Sequence, residues 1–393
     1  MKNFNYLIVG GGMTAIAAVE GIRIHDQLGT IGILSDEKYP PYKKPPLSKG
    51  LWLGKPFEKI WFNLERHNVD LRLNNKVVDL DTLARTATAQ DGEIYSYERL
   101  LLATGGTPRK FSGVMEDPRI IYYRSLKDYE QLRELAASSE LIGVIGGGFI
   151  GSEIAAVLTR NGKDVVMIFP EKGIGANIFP EDLSLFLTDE YKSRGVKVFT
   201  ESTVSIIEPR GNKIFVKTNS NESFFFDAVV AGIGIKPNVE LASRANLSVD
   251  NGILVDDRLR SSQPEIFAAG DVANIYYPKL GKYLRVEHED NALSSGKIAG
   301  ENMTGQDIQY NHLSGFYSDM FEFGYEAVGE LSSLSLTSST WEPAYKEGLV
   351  FYHDENFIKG ILLWNIWGKM DAAREMIGKP ISQLSYFGKE LTT

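Results

Sequence analysis

One stretch near the middle of the chain, residues 141–171, constrains the fold more than any other. It opens with a short apolar run that predicts a buried parallel strand, and an apolar-periodic helix and a second strand follow the turn. Three glycines lie between the first strand and the helix at the G-x-G-x-x-G spacing, and an acid follows the second strand: Gly146, Gly148, Gly151 and Glu171. This order of elements predicts a dinucleotide-binding unit.

Each position in this pattern has a physical reason. Gly146 permits a tight turn, Gly148 lets the backbone approach a pyrophosphate, and Gly151 lets the helix pack on the strand. The free amides at the start of the helix would hold the pyrophosphate. Glu171 would bind ribose hydroxyls and repel a 2′-phosphate, which favours NADH over NADPH. The spacing by itself leaves open a plain turn between a strand and a helix.

A second unit of the same kind opens the chain. An apolar strand ends at Val9, and Gly10, Gly12 and Ala15 follow at the same spacing, with alanine as the permitted variant at the third place. A helix and a second strand then lead to Asp36. Two such units predict two dinucleotides, a flavin that stays bound and a nicotinamide that exchanges.

Composition bounds the remaining possibilities. A length of 393 residues predicts two or three domains. The formal net charge of −9 indicates no general attraction to nucleic acid or to anionic lipid. The sequence contains no run of about 18 apolar residues, so no membrane-spanning helix is predicted. The first strand begins almost at residue 1. We therefore expect no targeting segment and a cytoplasmic location.

The cysteine count of zero excludes whole classes of chemistry. A disulfide relay, a sulfenate nucleophile and a cysteine-bound iron–sulfur cluster all require thiols. With five histidines and no cysteine, we expect no metal site.

A proline-rich arm, residues 40–52, follows the first unit and carries several lysines. Its four prolines predict a rigid, extended segment that cannot lie in a helix interior. Such an arm could place Lys43, Lys44 or Lys49 beside an anionic cofactor. The alternative is a basic surface loop.

Further apolar runs complete the predicted sheets. Residues 69–88 and 93–97 alternate and predict the hairpins of a small sheet. The strand 266–271 delivers Asp271 to the carboxyl edge of a sheet, where ligands lie in α/β proteins. A helix is predicted from about Glu287. The aromatic-rich region after residue 310 predicts a separate α+β domain. The predicted fold class is thus α/β, with two doubly wound, Rossmann-like dinucleotide-binding domains and a C-terminal α+β domain.

Several motifs resemble known flavoproteins. The two glycine units, Ala103-Thr104-Gly105 and Ala268-Ala269-Gly270-Asp271 resemble the glutathione-reductase-type flavoproteins. Four further motifs resemble, more narrowly, apoptosis-inducing factor and its relatives, the ferredoxin reductases of oxygenase systems: Pro45-Pro46-Leu47-Ser48-Lys49, Arg285-Val286-Glu287-His288, Gly324-Tyr325-Glu326-Ala327-Val328-Gly329 and Leu362-Leu363-Trp364-Asn365-Ile366.

The resemblance implies a domain organisation. Residues 1–125 and 250–310 would form a discontinuous FAD-binding domain, and residues 126–249 would bind NADH. Residues 311–393 would form the C-terminal α+β domain that covers the flavin.

The resemblance also assigns cofactor contacts. The first glycine unit would face the FAD pyrophosphate, Asp36 would bind the adenosine ribose, and Asp271 would bind the ribityl chain. The full set of implied cofactor-binding residues is Gly10, Gly12, Ala15, Asp36, Lys44, Lys49, Thr104, Gly105, Asp271, Glu287 and His288 for FAD, and Gly146, Gly148, Gly151, Glu171, Gly234 and Tyr317 for NADH and the flavin face.

Four residues are implied in catalysis. Lys49 would lie beside the reactive nitrogen of the flavin and pair with Glu153. Phe149 would cover the flavin face and move aside for the nicotinamide. The helix that begins near Glu287 would stabilise the reduced flavin with its amides, and His288 would contact flavin or nicotinamide. From the residues alone, Glu153 could be a surface acid near a helix start, Phe149 an ordinary loop residue, and His288 a polar surface residue.

Three departures from the family pattern stand out. Lys44 replaces an arginine, which weakens a bidentate phosphate contact. Tyr317 replaces the tryptophan of a Phe-Trp-Ser-Asp motif near the flavin, so acceptor access is expected to differ. The stretch 331–348 is short where apoptosis-inducing factor carries a long regulatory insertion, which points to a bacterial-type reductase and away from a DNA-binding role.

The resulting hypothesis is an FAD-dependent NADH oxidoreductase. Because no thiol can relay electrons, they would pass directly from the flavin to a small carrier such as ferredoxin or rubredoxin. Two alternatives stay open. One is an NADH-responsive interaction protein that forms a charge-transfer complex and a homodimer, and the other is a quinone reductase.

Overall fold

The structure is a computed structural model that describes residues 1–278 and 280–392. Thr393, the last residue of the predicted C-terminal domain, lies outside the described residues. The α-helices of the described part are α1 (Met13–His25), α2 (Leu126–Ser138), α3 (Phe149–Arg160), α4 (Glu181–Ser193), α5 (Glu240–Arg244), α6 (Glu289–Met303), α7 (Met370–Met376) and α8 (Leu384–Thr392).

The strands come in chain order as follows. They are β1 (Lys2–Val9), β2 (Ile31–Leu34), β3 (Val69–Arg72), β4 (Val77–Asp81), β5 (Thr86–Ala89), β6 (Ile94–Leu102), β7 (Gly106–Pro108), β8 (Ile120–Tyr122), β9 (Leu141–Ile145), β10 (Asp164–Ile168), β11 (Lys197–Phe199), β12 (Val204–Arg210), β13 (Lys213–Thr218), β14 (Ser223–Phe226), β15 (Ala228–Ala231), β16 (Ile235–Pro237), β17 (Ile253–Val255), β18 (Ile266–Ala268), β19 (Ala273–Tyr277), β20 (Lys282–Leu284), β21 (Gly315–Met320), β22 (Phe323–Gly329), β23 (Leu336–Trp341), β24 (Gly348–His353) and β25 (Ile358–Trp364).

The chain divides into two compact units, each built from three segments. Unit 1 comprises residues 1–44, 57–107 and 235–314, and unit 2 comprises residues 45–56, 108–234 and those from 315 onward. The chain therefore passes between units near residues 44, 56, 107, 234 and 314. The predicted division into three domains has its boundaries near residues 125, 250 and 310, and it stays a prediction.

Unit 1 is organised around a seven-stranded sheet with the order β3-β2-β1-β6-β5-β4, in which β18 also pairs with β6. β6 pairs parallel with β1 along residues 95–102, while its first half also pairs antiparallel with β5 and its second half also pairs parallel with β18. The small sheet predicted for residues 69–88 and 93–97 is wrong, because these strands belong to the seven-stranded sheet. A single nine-residue strand is long enough to join both pairing patterns.

The parallel strands of unit 1 end level with one another. Val9 is in register with Leu34 and with Leu102, and Leu102 is in register with Ala268. The loops that follow β1, β2, β6 and β18 therefore meet at one carboxyl edge of the sheet, the edge where α/β folds bind ligands.

Close packing of α1 against α6 supports this edge from one face of unit 1. A Cβ added at Gly21 would lie 2.1 Å from the carbonyl oxygen of Lys297, and one at Gly300 would lie 2.1 Å from that of Ala18. Both glycines therefore let two helix backbones approach more closely than any larger residue would allow.

Unit 2 contains a parallel five-stranded sheet with the order β11-β10-β9-β15-β8, a three-stranded meander β12-β13-β14 and an antiparallel five-stranded sheet β21-β22-β25-β24-β23. In the parallel sheet, Ile145 is in register with Ile168 and with Ala231, so the loops after β9, β10 and β15 share one edge. The antiparallel sheet and the helices α7 and α8 account for the α+β character expected of the C-terminal region. The predicted fold class is confirmed by this mixed α/β architecture.

The proline-rich arm differs from the prediction of an extended segment. Residues Pro45–Ser48 and Gly50–Leu53 form two short 3-10 turns. Both prolines of the first turn stand at its opening positions, where the fixed φ of proline suits a helix and no backbone N–H is needed. The arm is thus folded into turns rather than extended.

Neither a membrane-spanning helix nor a metal-ligand cluster occurs among the described residues. Over residues 1–278 and 280–392, no helix combines the length and the apolar character that crossing a membrane requires. The same residues contain no cluster of three or more acidic or histidine side chains arranged to hold a metal ion.

Candidate cofactor sites

The loop between β1 and α1 in unit 1 has the backbone that its glycines predict. Gly10 has φ +114°, and a Cβ there would lie 2.1 Å from the carbonyl oxygen of Ala103, so only glycine fits. Gly12 is different, because a Cβ at this position would meet no described heavy atom within 4 Å. Ala15 is fully buried under the loop. Open space therefore lies beside Gly12, at the start of α1.

The two helices that follow the glycine loops begin without side-chain caps. α1 follows Gly12 and α3 follows Gly148, and neither helix has, among the described side chains, a cap or an acid in its first turn. By contrast, α2 has a complete capping box made by Ser125 and Asp128. Uncapped amides and a positive dipole end suit an anion such as a pyrophosphate.

Asp36 and Lys44 follow β2 at the same carboxyl edge of unit 1. Asp36 is exposed directly beyond the end of the strand. Lys44 places its Nζ 3.4 Å from a carboxylate oxygen of Glu37, which also accepts a hydrogen bond from the Tyr42 hydroxyl at 2.7 Å. Both predicted residues thus lie where the adenosine half of a dinucleotide would lie in such a sheet.

Thr104 and Gly105 form the loop after β6. Gly105 has φ +61°, and the Thr104 hydroxyl donates to the carbonyl of Asn238 at 2.9 Å. The Asn238 amide returns a hydrogen bond of 2.8 Å to the carbonyl of Thr104. Sequence reasoning missed Asn238, which lies 134 residues away in the chain and fixes this loop.

Asp271 is delivered by a tight turn after β18. Gly270 has φ +72°, and its amide donates to the Ser295 hydroxyl of α6 at 2.9 Å. A Cβ on Gly270 would lie 2.2 Å from the Thr14 hydroxyl in the first turn of α1. Asp271, half-buried, therefore stands beside the start of α1.

Glu287 and His288 precede α6 rather than begin it. The predicted helix start near Glu287 is wrong by two residues, since α6 begins at Glu289 and His288 is its N-cap. Two acids in the first turn, Glu289 and Asp290, suit the dipole at that end. Glu287 forms an ion pair of 2.6 Å with Arg285, whose guanidinium also donates to the backbone carbonyl of Asp271.

His288 is neutral at physiological pH. Burial lowers its pKa to about 4, against the opposing attraction of Asp271 and Asp290. A neutral imidazole beside Asp271 can donate through one ring nitrogen and accept through the other.

The glycine loop of unit 2 repeats the construction of unit 1. Gly146 has φ +119°, and a Cβ there would lie 2.4 Å from the carbonyl oxygen of Gly232. A Cβ on Gly151 would lie 2.0 Å from the carbonyl oxygen of Gly146, whereas one on Gly148 would meet no described atom within 4 Å. Gly234, with φ +89°, accepts a hydrogen bond from the amide of Arg109 at the same edge.

Glu171 lies beyond the end of β10, at the carboxyl edge of the parallel sheet. It is half-buried, and one carboxylate oxygen accepts from the side-chain amide of Asn177 at 3.2 Å. This is the location that the fingerprint predicts for an acid that recognises ribose hydroxyls.

Glu153 and Lys49 form a buried ion pair within unit 2. The Lys49 Nζ is 2.6 Å from a carboxylate oxygen of Glu153, and the two side chains are only 13% and 2% exposed. Glu153 is therefore not the surface acid that the residues alone left possible. The pairing expected from the family resemblance is present, and the arm places Lys49 where it can form.

Tyr317 and Phe149 lie beside this ion pair. The Lys49 Nζ lies 5.0 Å from the centre of the Tyr317 ring, a cation–π distance. Phe149, the first residue of α3, packs edge-on against Phe316 with 5.5 Å between ring centres. Tyr317 and Phe149 are still 38% and 37% exposed, so each offers an aromatic face to a ligand.

The arm is held in place by residues that sequence reasoning did not assign. The Tyr123 hydroxyl donates to the carbonyl of Leu47 at 2.6 Å, and the Trp52 indole donates to the same oxygen at 2.8 Å. Ser48 and Ser318 each donate to Glu153. Both serines lie inside motifs that the sequence made conspicuous, but only their contacts reveal a role.

The residues present fit a dinucleotide at each glycine loop. Each loop combines a glycine that no larger residue could replace, a glycine beside open space and an uncapped helix start. Unit 1 adds carboxylates at Asp36 and Asp271, and unit 2 adds Glu171. These groups match FAD and NAD(H), which carry a pyrophosphate and ribose hydroxyls.

Comparisons with known proteins agree with this construction. The profile of the family described as pyridine nucleotide-disulphide oxidoreductase matches residues 4–296, and that described as apoptosis-inducing factor, mitochondrion-associated, C-term matches residues 330–379. The mitochondrial apoptosis-inducing factor 1 of Dictyostelium discoideum is 33% identical, over 96% of this chain and 79% of its own length. The ferredoxin–NAD(+) reductase component of the anthranilate 1,2-dioxygenase system of Burkholderia cepacia is 31% identical, over 95% of this chain and 93% of its own.

A solved structure gives the same picture. The covalent complex of putidaredoxin reductase with putidaredoxin contains a chain that superposes with a TM-score of 0.89 at 28% identity, covering 96% of this chain and 94% of that one. The relationship predicted from the sequence motifs is confirmed by these matches. Because the profile covers most of its length, the chain belongs to the pyridine nucleotide-disulphide oxidoreductase family, whose members bind FAD and NAD(H).

Proposed function

We propose that this protein is an NADH-dependent flavoprotein reductase that passes electrons to a small carrier protein, a ferredoxin or a rubredoxin. The buried pair of Lys49 and Glu153 beside the second glycine loop is the observation that carries the proposal. The ferredoxin–NAD(+) reductase relative spans nearly the whole chain, which supports the same activity.

The chemistry divides between cofactor and protein. FAD, when bound, supplies the ability to accept a hydride from NADH and to give up electrons one at a time. The protein would bind and orient the two cofactors and complement their charge. Residues Gly10, Gly12, Asp36 and Asp271 would hold the flavin dinucleotide, and Gly146, Gly148 and Glu171 would hold the nicotinamide dinucleotide.

Three side chains of unit 2 would organise the reacting end of the site. Lys49 presents a fixed ammonium, which favours negative charge on a neighbouring group. Glu153 keeps that ammonium in place through a 2.6 Å contact. Phe149, packed on Phe316, offers an aromatic surface that can shield the site from water until the nicotinamide takes its place.

The absence of cysteine limits the routes by which electrons can leave the protein. With zero cysteines in the chain, electrons cannot leave through a protein disulfide. An acceptor must therefore take them directly, as an iron–sulfur or rubredoxin carrier does.

The test is an anaerobic titration with NADH, followed by rapid mixing with ferredoxins, rubredoxins, a soluble quinone or oxygen. The proposal expects reduction by NADH and rapid reoxidation by at least one protein carrier, faster than by quinone or oxygen. Reoxidation that is slow with every carrier would overturn it. A quinone that outpaced all carriers would instead support the quinone reductase.

A preference for NADH over NADPH forms part of the proposal, because a carboxylate at Glu171 would repel a 2′-phosphate. Glu171→Ser should narrow the ratio of kcat/KM values for NADH and NADPH by about tenfold or more. The exposed Glu222→Ser, on a hairpin of the same unit, serves as a matched control. An unchanged ratio would remove Glu171 from the ribose site.

A second candidate, the NADH-responsive switch, is favoured by the match to the C-terminal profile of apoptosis-inducing factor. It expects that protein reduced by NADH persists for minutes in air and with carriers, and that it elutes as a larger species. Size-exclusion chromatography with and without NADH separates the two functions. The reductase expects rapid carrier reduction by a species of unchanged size. The proposal places the protein in the cytoplasm, which cell fractionation tests.

A further inference from the structure

The carboxylate of Glu153 is surrounded by three donors within unit 2. One carboxylate oxygen accepts from the Lys49 ammonium at 2.6 Å and from the Ser318 hydroxyl at 2.5 Å, and the other accepts from the Ser48 hydroxyl at 2.6 Å. A carboxylate that is 2% exposed is costly to bury, and hydrogen bonds to the charged form offset that cost.

These donors come from two segments that approach Glu153 from different parts of the chain. The arm supplies the adjacent residues Ser48 and Lys49. Strand β21 supplies Tyr317 and Ser318, which point to opposite faces because side chains alternate along a strand. Tyr317 faces outward under the Lys49 ammonium, whereas Ser318 is fully buried and faces Glu153.

Tyr325 fixes the direction in which the Ser318 hydroxyl donates its hydrogen bond. Tyr325 lies directly opposite Ser318 in the β21–β22 register and is almost fully buried, with its hydroxyl hydrogen-bonded to Ser318. Burial and the charge of Glu153 both raise the pKa of Tyr325, so its phenol keeps its proton. Because a carboxylate only accepts, Ser318 must give its hydrogen to Glu153, and Tyr325 donates to Ser318.

We propose that Ser318 is a positioning residue that, through Glu153, fixes the Lys49 ammonium at the reacting end of the site. The inference rests on the proposed function for what Lys49 does, but the contacts stand without it. Loss of the Ser318 hydroxyl leaves the oxygen that faces Lys49 with the ammonium as its one remaining donor among the described residues. Glu153 is then held by Lys49 and Ser48 alone, and the position of the Lys49 ammonium is less firmly fixed.

The test measures how readily the Lys49 amine reacts in the holoenzyme. Wild type and variants are treated with a small acylating reagent, acetic anhydride, and the rate of modification is followed by mass spectrometry at Lys49 and at Lys163. Lys163 is an internal reference in the same unit, because its Nζ donates to the backbone carbonyl of Ser139 at 2.9 Å and has no part in the cluster.

The Lys49 modification rates of four variants are compared with that of wild type. Ser318→Ala should raise the rate at Lys49 about tenfold, the effect of one lost hydrogen bond to a charged group. Glu153→Gln should raise it further, and Ser318→Thr, which keeps a hydroxyl, should restore most of the protection. Ser184→Ala is the matched control, since it removes another buried serine hydroxyl of unit 2 that donates to a backbone carbonyl at 2.8 Å. Its Lys49 rate should equal that of wild type.

Two results would overturn the proposal. The first is a Lys49 rate that Ser318→Ala leaves unchanged while Glu153→Gln raises it. The second is an equal rise at Lys49 and Lys163, which would mean that the hydroxyl serves general stability alone. If Ser318 variants fail to fold, Ser48→Ala provides the same comparison from the arm, with a smaller expected rise because its hydroxyl binds the oxygen away from Lys49.

A kinetic readout separates this inference from the proposed function. In Ser318→Ala, kcat with NADH and carrier should fall while KM for NADH stays unchanged, because the adenosine and pyrophosphate contacts lie elsewhere. If wild type reduces no carrier, the proposed function fails, yet the Lys49 modification rates still decide whether Ser318 positions the ammonium.

Discussion

Single residues in this protein are tuned by what surrounds them rather than by their type. Glu153, in the second turn of α3, is buried among three hydrogen-bond donors. His288, the N-cap of α6, is half-buried beside the acids Asp271 and Asp290, and desolvation outweighs their attraction and lowers its pKa.

The lowered pKa of His288 predicts a specific dependence of stability on pH. Its pKa is about 4 in the folded protein and ordinarily 6.5, so the unfolded chain takes up a proton more readily. This contribution to stability is complete above pH 6.5 and is lost as the pH falls toward 4. From pH 8 to pH 5, the loss should be about 2 kcal/mol.

Urea unfolding of wild type and His288→Gln at pH 8, 7, 6 and 5 measures this loss. The glutamine cannot titrate, so the wild-type free energy of unfolding should fall more steeply with acid by that amount. Parallel curves for the two proteins would show that His288 is not held neutral.

At the scale of elements, local sequence patterns correctly predicted the structures that depend on residues close together in the chain. The runs around Gly10 and Gly146 gave strand, turn and helix correctly, because the glycine spacing and apolar periods act within a few residues. Contacts between segments that are far apart in the chain could not be predicted from the sequence. Ser318 meets Glu153 across 165 residues of chain, and Ser48 meets it across 105. A serine within a motif carries no sign of which distant carboxylate it will bind.

The arm shows the same limit in another form. Its prolines predicted extension wrongly, since proline also suits the opening of a 3-10 turn. Its anchor, the hydroxyl of Tyr123, lies far along the chain, at 76 residues from Leu47. Burial raises the pKa of Tyr123, so the hydroxyl keeps its proton and can donate to the Leu47 carbonyl.

Tyr123→Phe should therefore loosen the arm without disturbing its packing. The ring stays, the hydrogen bond to Leu47 is lost, and the Trp52 indole still donates to that carbonyl. We expect a loss of about 1 kcal/mol in stability and faster amide hydrogen exchange in residues 45–56. Tyr122→Phe is the neighbouring control, since its hydroxyl accepts from the amide of Phe111 instead. Equal exchange of the arm in both variants would argue against an anchor at Tyr123.

The whole molecule uses one construction twice, in two units that are each assembled from three separate segments. In both loops the first glycine is required by the fold, because a Cβ at Gly10 or Gly146 would lie within 2.4 Å of a backbone carbonyl oxygen. The second glycine is required by nothing in the described protein. Gly12 and Gly148 have extended backbones that any residue can adopt, and a Cβ on either would meet no described atom within 4 Å. We propose that a bound ligand occupies this space.

This contrast predicts a matched pair of variants. Gly12→Val and Gly148→Val should both fold, with stability changes below about 1 kcal/mol, since a Cβ at either position meets no described atom within 4 Å and glycine is only a modest N-cap. Gly12→Val should purify with little or no FAD, because the new side chain fills the space beside the first helix start. Gly148→Val should keep its FAD and raise the KM for NADH about tenfold or more.

Each variant is the control for the other. Flavin content is read from the ratio of visible to ultraviolet absorbance, and KM is read from steady-state rates with a fixed carrier. If Gly148→Val instead lost its flavin while Gly12→Val retained it, the assignment of FAD to unit 1 and NADH to unit 2 would have to be reversed. If both variants kept flavin and an unchanged KM, the open space beside the two glycines would not be where the pyrophosphates bind, and the uncapped starts of α1 and α3 would need another explanation.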